Sequence, residues 1–246
     1  MKNNLFRLGN KLYEHCYPVY YPLYAVWKAL SDRRERVLLR RLIRPGMTVV
    51  DIGANIGIYT RFLSRLAAIS GHVHAFEPAP SNYRRLLENA GHFTNATLNQ
   101  AAVGDRSGSI RLFFSADLNV DHRTFDSGDV RKGIDVPVVS LDEYFTAGQR
   151  VDLIKIDVQG YELSVLQGAK RVLAENRDIK VLMEFWPYGL AKAGVAPSSV
   201  IDLIKSIGFE IRTTSNPNGG LFVGVGLDPN NIDHYCNLII TKRSSD

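Results

Sequence analysis

From Met47 onward, short β-branched apolar runs alternate with segments of helical period. That alternation confines the chain to strands and helices layered about a mostly parallel sheet, so the expected class is α/β. Predicted strands cover Thr48 to Ile52, His72 to Phe76, Ala96 to Val103, Val151 to Asp157, Ile179 to Phe185, Phe209 to Thr213 and Cys236 to Lys242. Predicted helices fill most gaps: Ile58 to Ala68, Ser81 to Ala90 with Ser81 as N-cap, Glu162 to Glu175, and Ser198 to Ile207 after Pro197. Ser109 to Phe114 and Ile134 to Val139 read as a β-excursion around the polar stretch Asp117 to Lys132. A loop of that length in a compact domain is a candidate substrate lid.

Residues 1–46 differ from the rest. Tyr13, Tyr17, Tyr20, Tyr21, Tyr24 and Trp27 crowd around Pro18 and Pro22, and a basic helix follows with Arg33, Arg34, Arg36, Arg40, Arg41 and Arg44. We read them as a helical cap on a domain of residues 47–246, either packed against it, covering a substrate, or touching a membrane surface. With 45% hydrophobic and 22% charged residues the chain is globular, and its formal charge of +5 is modest. The arginines lack interleaved aromatics, which argues against nucleic acid as partner and for a solvated helix face. The longest apolar-looking uncharged run, His15 to Trp27, falls short of the ~20 residues of a membrane-spanning helix. The mixed opening M-K-N-N-L-F-R does not read as a secretory signal, so a cytoplasmic location is expected. Cys16 and Cys236 read as buried thiols in a reducing compartment.

The strongest local signal is T-V-V-D-I-G-A-N-I-G-I-Y-T, a strand ending at Asp51 that turns through Gly53, Asn55 and Gly57 into a helix opening with Tyr59 and Thr60. Such a turn brings backbone close to a nucleotide-like ligand. The dinucleotide fingerprint needs a second glycine where Asn55 stands, and Asp51 repels a pyrophosphate. A cation suits the acid better, which points to S-adenosylmethionine with its sulfonium and ammonium groups. Glu77, ending the second strand in F-E-P, is placed to accept the ribose hydroxyls. Pro78, Ala102 and Val103 are candidates to sandwich the adenine, ordinary strand packing being the alternative for the last two.

D-I-G-A-N-I-G, F-E-P-A-P-S-N, N-Q-A-A-V-G-D-R-S-G, V-P-V-V-S-L-D-E and V-D-L-I-K-I-D-V-Q-G-Y-E-L-S-V-L-Q-G-A together resemble the FkbM-type methyltransferases, a branch of the class I S-adenosylmethionine-dependent enzymes. The resemblance spans Met47 to Glu184. It implies a Rossmann-like sheet of seven strands, the last one antiparallel, with helices on both faces. It also implies O-methylation of a hydroxyl on a sugar, glycan or related secondary metabolite. Gln159 stands where the family often has an acid, which weakens a carboxylate metal site and leaves dependence on a divalent metal open. Asp121 to Phe125, D-H-R-T-F, also resembles a motif of some members and lies on the expected lid.

Four residues compete as general base for the acceptor hydroxyl. His122 has the best intrinsic match, with an ordinary pKa of ~6.5. Asp157 and Glu184 end the fourth and fifth strands, where open α/β sheets bind ligands. Trp186 and Tyr188 beside Glu184 are candidate sugar-stacking surfaces. Glu162 ranks last, because the helix macrodipole already explains an acid in a first turn. His72 and His74 share a strand face without a further ligand nearby, so strand packing is expected rather than a metal site. An RNA methyltransferase sharing the cofactor site is the rival reading.

Overall fold

The structure is a computed structural model, and it describes residues 12–13, 15–113, 133–222 and 226–243. The expected lid, with His122 and the rest of D-H-R-T-F, lies outside the described residues. Seven strands form the main sheet: β1 (Thr48–Ile52), β2 (His72–Phe76), β3 (Ala96–Asn99), β7 (Leu153–Ile156), β8 (Lys180–Phe185), β9 (Phe209–Thr213) and β10 (Cys236–Lys242). Their order is β3-β2-β1-β7-β8-β10-β9, parallel throughout except that β10 runs antiparallel to both neighbours. The reversed last strand agrees with the expectation.

The third strand is shorter than expected. Ala102 and Val103 leave the main sheet as β4 and pair in parallel with Val138 and Val139 of β6 (Gly133–Val139). With β5 (Gly108–Phe113) they form a separate three-stranded sheet in the order β4-β6-β5. Val103 is needed there, because it fills a core shared with Leu141 and Phe145.

Helices α1 (Tyr17–Ser31) and α2 (Arg33–Leu42) precede the sheet, and α3 (Ile58–Ala67) and α4 (Pro80–Ala90) follow β1 and β2. Ser81 is not the N-cap of α4: Ala79 holds that position without a side-chain bond, and Pro80 starts the helix with its preset φ. After α5 (Leu141–Tyr144), the single helix expected from Glu162 to Glu175 is two, α6 (Glu162–Gln167) and α7 (Lys170–Glu175). The break falls at Gly168, where a Cβ would sit 1.9 Å from the Gly104 carbonyl oxygen. Two helices complete the chain, α8 (Pro187–Lys192) and α9 (Pro197–Ser206). Cys236 is half-buried and Cys16 is exposed, contrary to the buried-thiol expectation, because Cys16 precedes α1 on its outer side.

Strand alternation sends Val50, Ile154, Ile156, Val181 and Met183 into one core and Val49, Leu153 and Leu182 into another, the latter closed by Leu39 and Ile43 beside α3. Two residues past each member of that second row the same face turns polar: Asp51, Lys155 and Glu184. The site is built on that row.

Candidate active site

The turn after β1 needs three left-handed residues in five: Gly53 at φ +80°, Asn55 at +50° and Gly57 at +86°. Asparagine tolerates that region better than other side chains do, so Asn55 meets the backbone requirement without glycine. At Gly53 a Cβ would lie 1.9 Å from the Asp157 carbonyl oxygen. The turn therefore rests on the strand end that carries Asp157, and two halves of the site touch through backbone alone.

Glu77 reaches back into this turn. Its Oε2 accepts the Asn55 amide at 2.8 Å, and its Oε1 accepts the Ala79 amide at 2.9 Å. Burial raises its pKa to about 7 against the lowering effect of both amides. Asp51 is fully buried; Thr60 donates to its Oδ2 at 2.7 Å, while its Oδ1 and the Asn55 Oδ1 have no donor among the described residues. Burial pushes the Asp51 carboxyl up, against Lys155 and the Thr60 hydroxyl. Tyr59 turns the other way, donating from its hydroxyl to Asp32 Oδ2 at 3.0 Å with Lys155 Nζ 4.6 Å from its ring centre. Ala102 and Val103 are buried in the second sheet, and Pro78 lies between Glu77 and α4.

Beyond β7 and β8 stand Asp157 and Glu184. Gln159, itself left-handed at φ +52°, donates its one amide nitrogen to both: 3.1 Å to Asp157 Oδ1 and 2.7 Å to Glu184 Oε2. Lys155, nearly fully buried, lies 3.4 Å from Asp157 Oδ2. Burial works against the Asp157 charge, but Lys155, Lys28 and the Gln159 bond outweigh it and hold the carboxyl below its usual range. For Glu184, burial and then the Asp157 and Glu162 carboxylates push the pKa well above the usual value. The two carboxyls are shifted in opposite directions, the separation that assigns different roles to paired carboxylates.

Glu162 is buried completely. Its Oε1 accepts the Gly160 amide at 3.0 Å, and burial raises its pKa to about 7. Trp186 is only 6% exposed and donates its indole N–H to the Ile232 carbonyl, so it offers little surface for stacking; Tyr188 is half-buried. His72 and His74 bond to Thr97 and Tyr144, at 2.8 and 2.9 Å, as strand packing predicts. Among the described residues no group of three or more His, Cys, Asp or Glu is arranged to hold a metal ion.

Sequence reasoning missed Lys155 and Glu35. Lys155 offsets three acids, Asp157, Asp51 and Glu35, and Glu35 of α2 accepts from Asn237 at 3.2 Å. The signal was present in L-I-K-I: a lysine inside an otherwise apolar central strand is almost never buried without partners.

The chain matches the family described as the methyltransferase FkbM domain over residues 51–211. It is 29% identical over 194 residues to 2-O-methyltransferase NoeI of Sinorhizobium fredii, covering 72% of this chain and 78% of that protein. Identity is 27% over 188 residues with hexuronic acid methyltransferase AglP of Haloferax volcanii, covering 73% and 72%. It is also 27%, over 222 residues, with 31-O-demethyl-FK506 methyltransferase FkbM of Streptomyces tacrolimicus, covering 74% and 78%. A crystal structure described as an rRNA-methylase from Clostridium thermocellum shares the fold, with a TM-score of 0.53 at 13% identity over 86% of this chain and 95% of that one. The family match runs from the Asp51 turn through Glu77, Asp157 and Glu184 to Ile211, while Lys28, Asp32 and Glu35 of the cap lie outside it. The chain belongs to the FkbM family and is an S-adenosylmethionine-dependent methyltransferase.

Proposed function

We propose that this enzyme methylates a hydroxyl of a sugar, glycan or related secondary metabolite, and that the site binds S-adenosylmethionine at the Asp51 turn and the acceptor at Asp157 and Glu184. The observation that carries this reading is the Asp157 and Glu184 carboxyl pair bridged by Gln159, in backbone contact with the turn at Gly53. The printed names of the relatives, a 2-O-methyltransferase, a hexuronic acid methyltransferase and a 31-O-demethyl-FK506 methyltransferase, support a hydroxyl-bearing acceptor.

The residues present fit the cofactor. Buried acceptors without a donor among the described residues, Asp51 Oδ1 and Asn55 Oδ1, suit a ligand that brings cationic N–H donors. Glu77 keeps lone pairs for two ribose hydroxyls while its backbone bonds hold it in place. Gly53 and Gly57 allow close approach, Thr60 orients Asp51, and Tyr59 ties the turn to the cap; Pro78, Ala102 and Val103 are proposed to bound the adenine. When bound, the cofactor supplies an electrophilic methyl carbon.

Asp157 accepts the acceptor's hydroxyl proton, which requires the ionised form that Lys155 and Lys28 maintain. Glu184, neutral, donates a hydrogen bond that fixes the acceptor's orientation, and positioning of this kind supplies much of the rate. His122, outside the described residues, remains proposed as a second proton acceptor. Residues 1–46 are proposed as a cap over the turn of domain 47–246: Tyr13 and Tyr17 pack on Ile56 and Ile58, and Tyr17 accepts from Asn89 at 2.6 Å. The test is a panel of glycans and hydroxylated metabolites incubated with labelled donor and read by mass spectrometry. Methyl addition on oxygen supports the reading; methylation of RNA alone contradicts it.

A further inference from the structure

α1 turns its tyrosines inward and its aliphatic residues outward. Tyr17, Tyr20, Tyr21 and Tyr24 cluster over the glycine turn, whereas Val19, Leu23, Val26, Trp27 and Leu30 are between 47% and 71% exposed. These five fall at the three- and four-residue spacing of one helical stripe, and no exposed residue of α1 is charged. Isolated exposed apolar residues mean little, but a contiguous ridge along a whole helix marks a contact surface.

The helix that follows completes the pattern. Arg33, Arg34 and Arg41 of α2 are exposed and, with Val37 and the hydroxyls of Thr214 and Ser215, line a groove of about 380 Å³. Two other arginines of the run have another use: Arg36 and Arg40 lie 4.3 and 5.2 Å from the centre of the Phe62 ring. Three cations without an ion-pair partner among the described residues therefore stand at the end of an apolar ridge. No described helix is long and apolar enough to cross a membrane.

We propose that the outer face of α1 and α2 docks on an anionic phospholipid bilayer. The aliphatic ridge enters the boundary between headgroups and acyl chains, Trp27 sits at headgroup level, and Arg33, Arg34 and Arg41 meet the lipid phosphates. An exposed apolar ridge followed directly in the chain by a helix bearing exposed cations complements a surface that is apolar below and negative above. The inner face of α1 covers the Ile56–Ile58 end of the glycine turn, so docking sets that turn about one helix diameter, ~10 Å, from the bilayer.

The experiment is co-sedimentation of the full chain with vesicles of phosphatidylcholine, alone or with 30% phosphatidylglycerol, at low and high salt. We expect binding to the anionic vesicles that weakens with salt and is lost in Leu23→Asp/Leu30→Asp. With Arg33, Arg34 and Arg41 changed to alanine, it should fall about a hundredfold, at roughly fivefold per arginine. Trp27 emission should shift to the blue on binding and Trp27→Phe should remove the shift, because Trp186 is already buried. Unchanged cofactor affinity in these variants shows that the fold survives. Absence of vesicle binding overturns the proposal, as does equal binding to both vesicles that ignores the arginine changes. A dimer that Leu23→Asp dissociates, without vesicle binding, assigns the face to a second copy and also overturns it.

Discussion

At the glycine turn Glu77 takes both of its hydrogen bonds from backbone amides, while at the end of β7 and β8 the acids Asp157 and Glu184 are held by side chains, Gln159 and Lys155. The first arrangement is rigid and single-purpose, because the backbone cannot change its donors. The second is adjustable: Lys155 and Lys28 hold the Asp157 carboxyl down, while burial and neighbouring carboxylates push Glu184 up. In the proposed assignment, cofactor recognition would rest on the path of the chain and acceptor chemistry on a few substitutable groups, which suits a family whose relatives bear the names of different acceptors.

This contrast predicts how the two regions separate under mutation. Asp157→Asn removes the only acid of its pair that is ionised near neutrality, and turnover should fall by ~10² to 10⁴. Cofactor affinity by calorimetry should stay within about threefold, since the turn's own hydrogen bonds remain. Glu77→Ala does the opposite: cofactor affinity should drop by about 10² to 10³, the loss of two charge-assisted hydrogen bonds, with the far-ultraviolet circular dichroism unchanged.

The pH dependence of cofactor binding is the third expectation. Ribose hydroxyls donate best to ionised Glu77, whose pKa is raised to about 7 in the free protein, so binding releases a proton and affinity rises with pH. Between pH 6 and 8 the gain should be about tenfold, and Glu77→Gln should flatten it. The same raised value predicts that the free protein loses stability as pH climbs from the ordinary glutamate range toward 7, because over that window the unfolded chain has released a proton that the native state keeps. Glu184→Gln should have the smallest effect, a change in turnover of about threefold or less, since an amide mimics a carboxyl that is already neutral. A large loss there would mean that Glu184 works in its ionised form.

What the sequence revealed follows the same division. The strand, glycine turn and helix from Thr48 to Thr60 were legible because local backbone demands leave few alternatives there, and seven strands with a reversed last one followed from the family resemblance. The break between α6 and α7 was not legible, since it depends on Gly168 meeting Gly104, a contact 64 residues away in the chain. Nor was the departure of Ala102 and Val103 into a second sheet, because their apolar pattern suits either sheet and only the later strand β6 decides. The acid edge lay between these cases. Asp157 and Glu184 were visible as strand ends, but their opposite shifts come from Lys155 and Lys28 beside Asp157 and from burial and the neighbouring carboxylates around Glu184, surroundings that only the fold creates.

A crystal structure with S-adenosylhomocysteine bound would decide whether the turn recognises the cofactor as argued. We predict both ribose hydroxyls within hydrogen-bond distance of Glu77, with the amino acid end of the ligand toward Asp51 and its sulfur facing Asp157. A nucleoside bound away from the Gly53–Gly57 turn, or with Glu77 making no contact to the ribose, would contradict it.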